Sequence, residues 1–212
     1  MKVNNYPLKT PSTGDRLFGS DVNGDQKQFD MSAVSNNLFQ YEIGEYAADQ
    51  GGVIFHRYLD GDTQNYLVVA TTDLSTSSAW SNVDSTLIGS TAQSTWNGLS
   101  NSSAIVAQSG FTSGAAKLCL DSTNNLQTDW YLPAIDELNL LYNNRFNVNR
   151  TLSGASSAST IVGATQIGLN TYWSSTESFS NSAWLFYFNT GTPNNNNKNT
   201  TYYVRAIRKF SI

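Results

Sequence analysis

The stretch "DWYLPAIDELNLLYNNRF", residues 129–146, carries the strongest helical signal in the chain. Ile135, Leu138, Leu141 and Tyr142 recur at helical spacing, Pro133 suits a first-turn position, and Asp136 and Glu137 complement the positive end of the helix dipole. The pattern predicts a helix over about 133–145 with both acids on its surface. Around it the sequence alternates with the period of a strand. "GGVIFHRY" and "NYLVVATT" are joined by a turn at Asp60-Gly61, and "TYWSSTE", "SAWLFYFN" and "YYVRAIRKF" follow nearer the C-terminus. One amphipathic helix beside several strands makes the fold class α+β. "SNSSAIVAQSG" adds a short helix over roughly 100–109, with Gly110 as its C-cap.

In "AWLFYF", Trp184, Phe186 and Phe188 share one strand face, while Leu185 and Tyr187 share the other. If this strand pairs with "YYVRAIRKF", the intervening "NTGTPNNNNKNTT" becomes a loop of about a dozen residues, and loops that long are more often functional than accidental.

The first forty residues are different in character. Arg16–Ser20 and Gln26–Met31 flank a turn containing Asn23-Gly24 and read as a lone β-hairpin. Such a hairpin is marginal in water, so it is expected to pack against something else. Residues 1–40 therefore read as a separate segment, and residues 41–212 as a compact α+β domain.

With 39% hydrophobic residues the chain can build a core, but only 13% are charged and the net charge is −4. No basic field is available to hold a phosphate backbone, which argues against nucleic acid as a partner. No apolar run is long enough to insert into a membrane, and "MKVNNYPLKTPSTGDRLFG" has no secretory h-region, so export by another route, such as cell lysis, is expected. The single cysteine, Cys119, excludes an internal disulfide and reads as a small buried apolar residue.

Catalytic and metal signatures are weak. His56 is the sole histidine and has no evident triad or metal partner in the sequence. An enzymatic reading would need a pocket uniting it with an acid. Asp21, Asn23 and Asp25 occupy the first positions of a calcium loop, but Gln26 and Ser32 stand where Gly and Glu are required, so a polar turn explains them. No catalytic residue, metal ligand or cofactor is assigned.

Taken in order, "GGVIFHRYLDGDTQNYLVVATTDLSTSSAW", "SSAIVAQSGFTSGAAKLC", "DWYLPAIDELNLLYNNR", "YWSSTE" and "YYVRAIRKF" closely resemble the Lcl C-terminal-domain family, over roughly Glu42 to Phe210. The resemblance implies a C-type-lectin-like fold, beside the formylglycine-generating-enzyme-like domains, and a binding role. The calcium-site signatures of sugar-binding lectins are missing, and a lone cysteine cannot supply the enzyme branch's active pair.

The C-terminal segment also resembles the variable regions of retroelement-diversified phage and bacterial proteins, in which a fixed frame alternates with changeable, outward positions. Trp173, Ser174, Ser175, Trp184, Phe188, Gly191, Val204, Arg205 and Arg208 match the frame. Ser178, Phe179, Ser180, Asn181, Leu185, Tyr187, Asn189, Thr192, Asn194, Asn195, Asn196 and Asn197 match the changeable positions and are the candidate ligand contacts. An ordinary solvated, Asn-rich hairpin is the competing reading. "PSTGDRLFGSDVNGDQKQF" is similar to short leaders of phage fibre and tail-tip proteins.

These resemblances imply a non-enzymatic bacteriophage virion protein, exposed on the particle surface, that contacts a host-cell surface protein or glycan. Its N-terminal segment would meet other virion proteins, and a homo-oligomer is expected, a trimer being the common state of fibre-like proteins. A purely structural capsid or tail decoration protein and a bacterial surface adhesin are the alternatives.

Overall fold

The computed structural model describes residues 16–20, 23, 25–30, 39–154 and 161–212. The chain falls into two compact units, Met1–Gln40 and Tyr41–Ile212. In the first, strands β1 (Arg16–Ser20) and β2 (Gln26–Asp30) pair antiparallel as a hairpin. Asp21 and Ser32, on which the calcium-loop comparison rested, lie outside the described residues.

The second unit is α+β, with two sheets. The first contains β3 (Tyr46–Ala47), β4 (Gly52–Asp60), β5 (Thr63–Ala70) and β11 (Ile207–Ser211), in the order β11-β5-β4-β3. The second contains β6 (Ser75–Ala79), β7 (Thr171–Phe179), β8 (Ser182–Tyr187), β9 (Thr192–Asn197) and β10 (Thr201–Val204), in the order β6-β10-β7-β8-β9. The predicted Asp60-Gly61 hairpin forms between β4 and β5.

Three helices accompany the sheets: α1 (Gly98–Val106), α2 (Ala115–Leu120) and α3 (Ile135–Leu152). The side chain of Asn97 caps α1 by accepting from the Ser100 N–H at 3.0 Å, so α1 starts and ends earlier than the 100–109 pattern suggests and its C-cap is Ala107, not Gly110. α3 starts after Pro133 and runs one and a half to two turns past residue 145, because Val148 and Leu152 continue its buried stripe. The core forms where α3 lies against both sheets: Leu138, Leu141 and Val148 join Val53, Phe55, Leu67 and Val69 of one sheet with Tyr172 and Phe186 of the other. α2 has no counterpart in the sequence reading; its Ala-rich start offers little periodic contrast.

The C-terminal strands correct the expected hairpin. "YYVRAIRKF" does not pair with "AWLFYF". It divides at Arg205-Ala206, giving β10 to the second sheet, parallel to β7, and β11 to the first, antiparallel to β5. Val204 through Arg208 are consequently all buried. The Asn-rich segment is not a structureless loop either. Thr192–Asn197 form edge strand β9, in continuous register with β8 from Tyr187↔Thr192 to Ser182↔Asn197. Pro193 is tolerated because the strand lies at the edge. The Asn194 Oδ1 accepts from the Asn195 N–H and the Asn196 Oδ1 from the Asn197 N–H, both at 2.8 Å. These side chains thus satisfy backbone donors that no further strand is there to accept.

Candidate functional site

The predicted surface is built on a buried frame. Trp80, Trp130 and Trp173 are fully buried. Trp173 Nε1 donates to the Ser78 carbonyl at 2.9 Å and Trp80 Nε1 to the Ser174 carbonyl at 2.7 Å, fixing β7 to β6 and to the segment after it. Arg205 donates to the Asp73 carboxylate at 2.6 Å and to the carbonyls of Ala70 and Thr165; Arg208 makes a two-pronged contact with Asp129 at 2.6 and 2.8 Å.

Lys198, the one charge in the Asn run, completes the frame. Its ammonium donates to Glu177 at 2.7 Å and to the carbonyls of Ser180 and Thr86 at 2.8 and 3.0 Å. Glu177 also accepts from the N–H groups of Ile88 and Gly89. Neither side chain is exposed, so every lone pair and proton must be met inside the protein. This lysine ties the end of β9 to the β7–β8 turn and to the 86–89 loop. The sequence signal that could have found it is a lone cation in a polar, otherwise uncharged run.

Around this frame the candidate contacts separate into two ends of the β7–β8–β9 sheet. Phe179, Ser180 and Asn181 form the exposed β7–β8 turn, with Phe179 65% exposed, Ser178 partly covered beside it, and Asn197 at the neighbouring edge. Asn189 and Thr192 are exposed at the opposite turn, and Tyr187 is half-buried there. Asn194 and Asn195 are exposed between the ends, while Asn196 is partly covered and donates to the Tyr202 hydroxyl at 2.7 Å. Six residues of β9 separate the ends by roughly 17–20 Å, so one small ligand does not touch both.

Leu185, matched to an outward position, is instead fully buried. It lies in β8 between Trp173 of β7 and Asn194 of β9, on a face that is covered rather than solvated. Trp184, matched to the fixed frame, is only partly buried. The period-two pattern gave the two faces correctly but not which was covered, because both are.

Glu137 also departs from expectation: it is 4% exposed, not a surface charge. Its carboxylate accepts from the Tyr131 hydroxyl at 2.9 Å and from the Ala134 N–H at 2.7 Å, making half of a capping box to which Ala134 can return nothing. Burial pushes its pKa up to about 7, against the opposing effect of these donors. The structure does place Glu137 and His56 in one pocket, of about 370 Å³, with Tyr58, Leu67, Trp96 and Lys209, as an enzymatic reading would need, but both Glu137 oxygens already take donors from Tyr131 and Ala134 rather than from the imidazole. Burial lowers the His56 pKa. Among the described residues, no group of three or more His, Cys, Asp or Glu side chains is placed to hold a metal ion, and Cys119 is buried with its thiol pKa raised by desolvation.

No helix among the described residues is long and apolar enough to cross a membrane. Comparison with individual curated proteins finds no match. The sequence pattern of the Lcl C-terminal domain matches residues 69–208, which span β5's end, all three helices and the second sheet and include Trp80, Glu137, Glu177, Lys198 and both buried arginines of the frame. The chain therefore belongs to the Lcl C-terminal-domain family.

Proposed function

We propose that this protein is a non-enzymatic bacteriophage virion protein whose C-type-lectin-like domain binds a host-surface protein or glycan. The contact surface is the β7–β8 turn and edge strand β9: Phe179, Ser180, Asn181 and the exposed asparagines Asn194, Asn195 and Asn197, with Tyr187 and Thr192 serving the far end. The observation that carries this reading is the separation of frame from surface. Of the nine frame positions all but Trp184 and Gly191 are buried, whereas of the twelve changeable positions only Leu185 is. A surface so arranged can vary in sequence while the fold beneath it stays constant. Phe179 and Tyr187 supply contact area at small entropic loss, and Ser and Asn supply adaptable hydrogen bonds. The β1–β2 hairpin would attach the domain to other virion proteins, and a homo-oligomer would present several such surfaces.

The test is adsorption of particles, or of the purified protein, to host cells. Combined Phe179→Ala, Asn181→Ala and Asn195→Ala substitutions are expected to abolish adsorption with an unchanged melting temperature; adsorption that survives them overturns the site. Diversification has its own check in the coding DNA, which should carry AAC-rich codons at the changeable positions, a near-copy of that stretch and a neighbouring reverse-transcriptase gene.

A further inference from the structure

The pocket containing His56 and Glu137 lies on the first sheet, within the domain but built from different strands than the β7–β9 surface. Lys209, Leu67 and His56 occupy register-matched positions on the adjacent strands β11, β5 and β4. Leu67 is the apolar floor, Tyr58 and Trp96 are aromatic walls, and Glu137 closes one side from the first turn of α3. A second cavity of about 260 Å³ shares Trp96, Glu137 and Lys209 and extends toward Asp129 and Tyr131, so the two are lobes of one cleft.

The polar groups of this cleft are unevenly satisfied. Asp129 is held by Arg208, and Glu137 by the Tyr131 hydroxyl and the Ala134 amide. Lys209 has no carboxylate within ion-pair distance among the described residues; its ammonium lies 5.2 Å from the centre of the Tyr58 ring. His56 stacks on Tyr58, at 5.8 Å between centroids, with no hydrogen bond to its ring nitrogens from the described residues. The acids are therefore committed to the fold, whereas the imidazole makes no hydrogen bond there and the Lys209 ammonium, though it faces Glu137 and favours that acid's charged form, closes no ion pair with it. Trp96, 59% exposed at the rim, is a large aromatic surface left in water.

We propose that this cleft is a binding site for a small carboxylate with an apolar or aromatic body. The carboxylate would accept from the Lys209 ammonium and the His56 imidazole, and the body would lie on Leu67 between Tyr58 and Trp96. A volume of about 370 Å³ is near the lower end of ligand pockets, so the occupant is about the size of a single-ring acid. Glu137 acts as a positioning wall. Both its oxygens already take donors, so it is not offered to the ligand as a base.

The probes are phenylacetate, benzylamine and benzyl alcohol, which share a ring and differ in charge, titrated into the full chain and followed by the Trp96 indole and His56 ring resonances. Phenylacetate is expected to give saturable shifts with a Kd on the order of 1 mM, as its few heavy atoms allow, while the other two do not saturate. Lys209→Met should weaken phenylacetate about tenfold by removing a charge-assisted hydrogen bond, and Trp96→Ala should weaken it with the amide spectrum of the core unchanged. Absence of saturation by phenylacetate, equal binding of benzylamine, or unchanged affinity in Lys209→Met would each overturn the proposal. None of these results bears on adsorption through the β7–β9 surface.

Discussion

Glu177 and Lys198 meet at 2.7 Å with neither side chain exposed to solvent. Glu177 lies in β7 and Lys198 just past β9, so their bond spans the β8 strand between them and closes the sheet's edge onto its interior. A charge pair taken fully out of water is tolerated only where other partners complete it, and here two carbonyl acceptors and two N–H donors do so. Replacing Lys198 by Met leaves Glu177 charged and buried, and should lower stability by about 3 kcal/mol or more. The double variant Glu177→Gln/Lys198→Met should recover part of that loss, because the orphaned charge is gone. Urea unfolding of the four proteins in the cycle measures both terms.

Glu137 makes stability depend on pH in a definite direction. Its folded-state pKa of about 7 is above the unfolded value of 4.5, so the native state holds the proton more tightly. Its contribution is complete below 4.5 and is lost as pH rises through about 7. Glu137→Gln removes this dependence. The stability difference, wild type minus variant, should therefore fall between pH 5 and pH 8 by up to about 3 kcal/mol. The value of about 7 already contains the opposing pull of the Lys209 ammonium facing it, and His56, whose pKa is lowered, is present in both proteins and cancels in the difference. Melting temperatures across this range check the prediction; a difference that is flat or rises with pH contradicts it.

Gly191 closes the β8–β9 turn at φ +74°, and a Cβ built on it would lie 2.5 Å from the Tyr142 hydroxyl of α3. The turn thus sits on a helix side chain that also packs against Phe186 and Phe188. Gly191→Ala should cost about 2–4 kcal/mol, the sum of left-handed strain and the displacement of Tyr142. Gly61 supplies the control. It has φ +59° but nothing within 4 Å of where a methyl group would stand, so Gly61→Ala should show the strain alone, about 1–2 kcal/mol. Equal losses at the two positions, measured by thermal unfolding, would remove the docking of the turn.

What the sequence made legible was local. The i, i+3, i+6, i+7 stripe around Leu138 identified α3, and Asp60-Gly61 identified its hairpin, since both signals act within a few residues. Pairing partners were not legible. The parallel contact of Tyr203 with Tyr172 crosses a long stretch of chain, and nothing in "YYVRAIRKF" announces that it changes sheets at Arg205-Ala206. Burial of charge was equally hidden: Glu137, Glu177 and Lys198 look like surface residues, and the partners that allow Arg205 and Arg208 to be buried lie as far away as Gln50, 158 residues from Arg208. Of the candidate surface, Phe179–Asn181 were reached only through their resemblance to changeable positions, whereas the cleft under Trp96 assembles from five separate segments and has no local signature.

The division between frame and surface can be measured one residue at a time. Leu185 sits in β8 opposite Trp173 with no exposed area, so Leu185→Ala removes apolar contact and leaves a void, costing about 2–5 kcal/mol. Asn195 lies one strand further out on the edge, exposed, with its N–H already met by the Asn194 side chain, so Asn195→Ala should change stability by no more than about 0.5 kcal/mol. Phe179→Ala should behave as Asn195→Ala does despite the larger loss of side chain, because most of that ring is in water already. Asn194→Ala is the informative intermediate, since it strips the Asn195 amide of its acceptor at an edge where water can replace it. Chemical unfolding of the four variants should thus rank Leu185→Ala far below the other three. A loss at Asn195 or Phe179 comparable to that at Leu185 would mean that the edge is part of the fold's support and not a surface free to change.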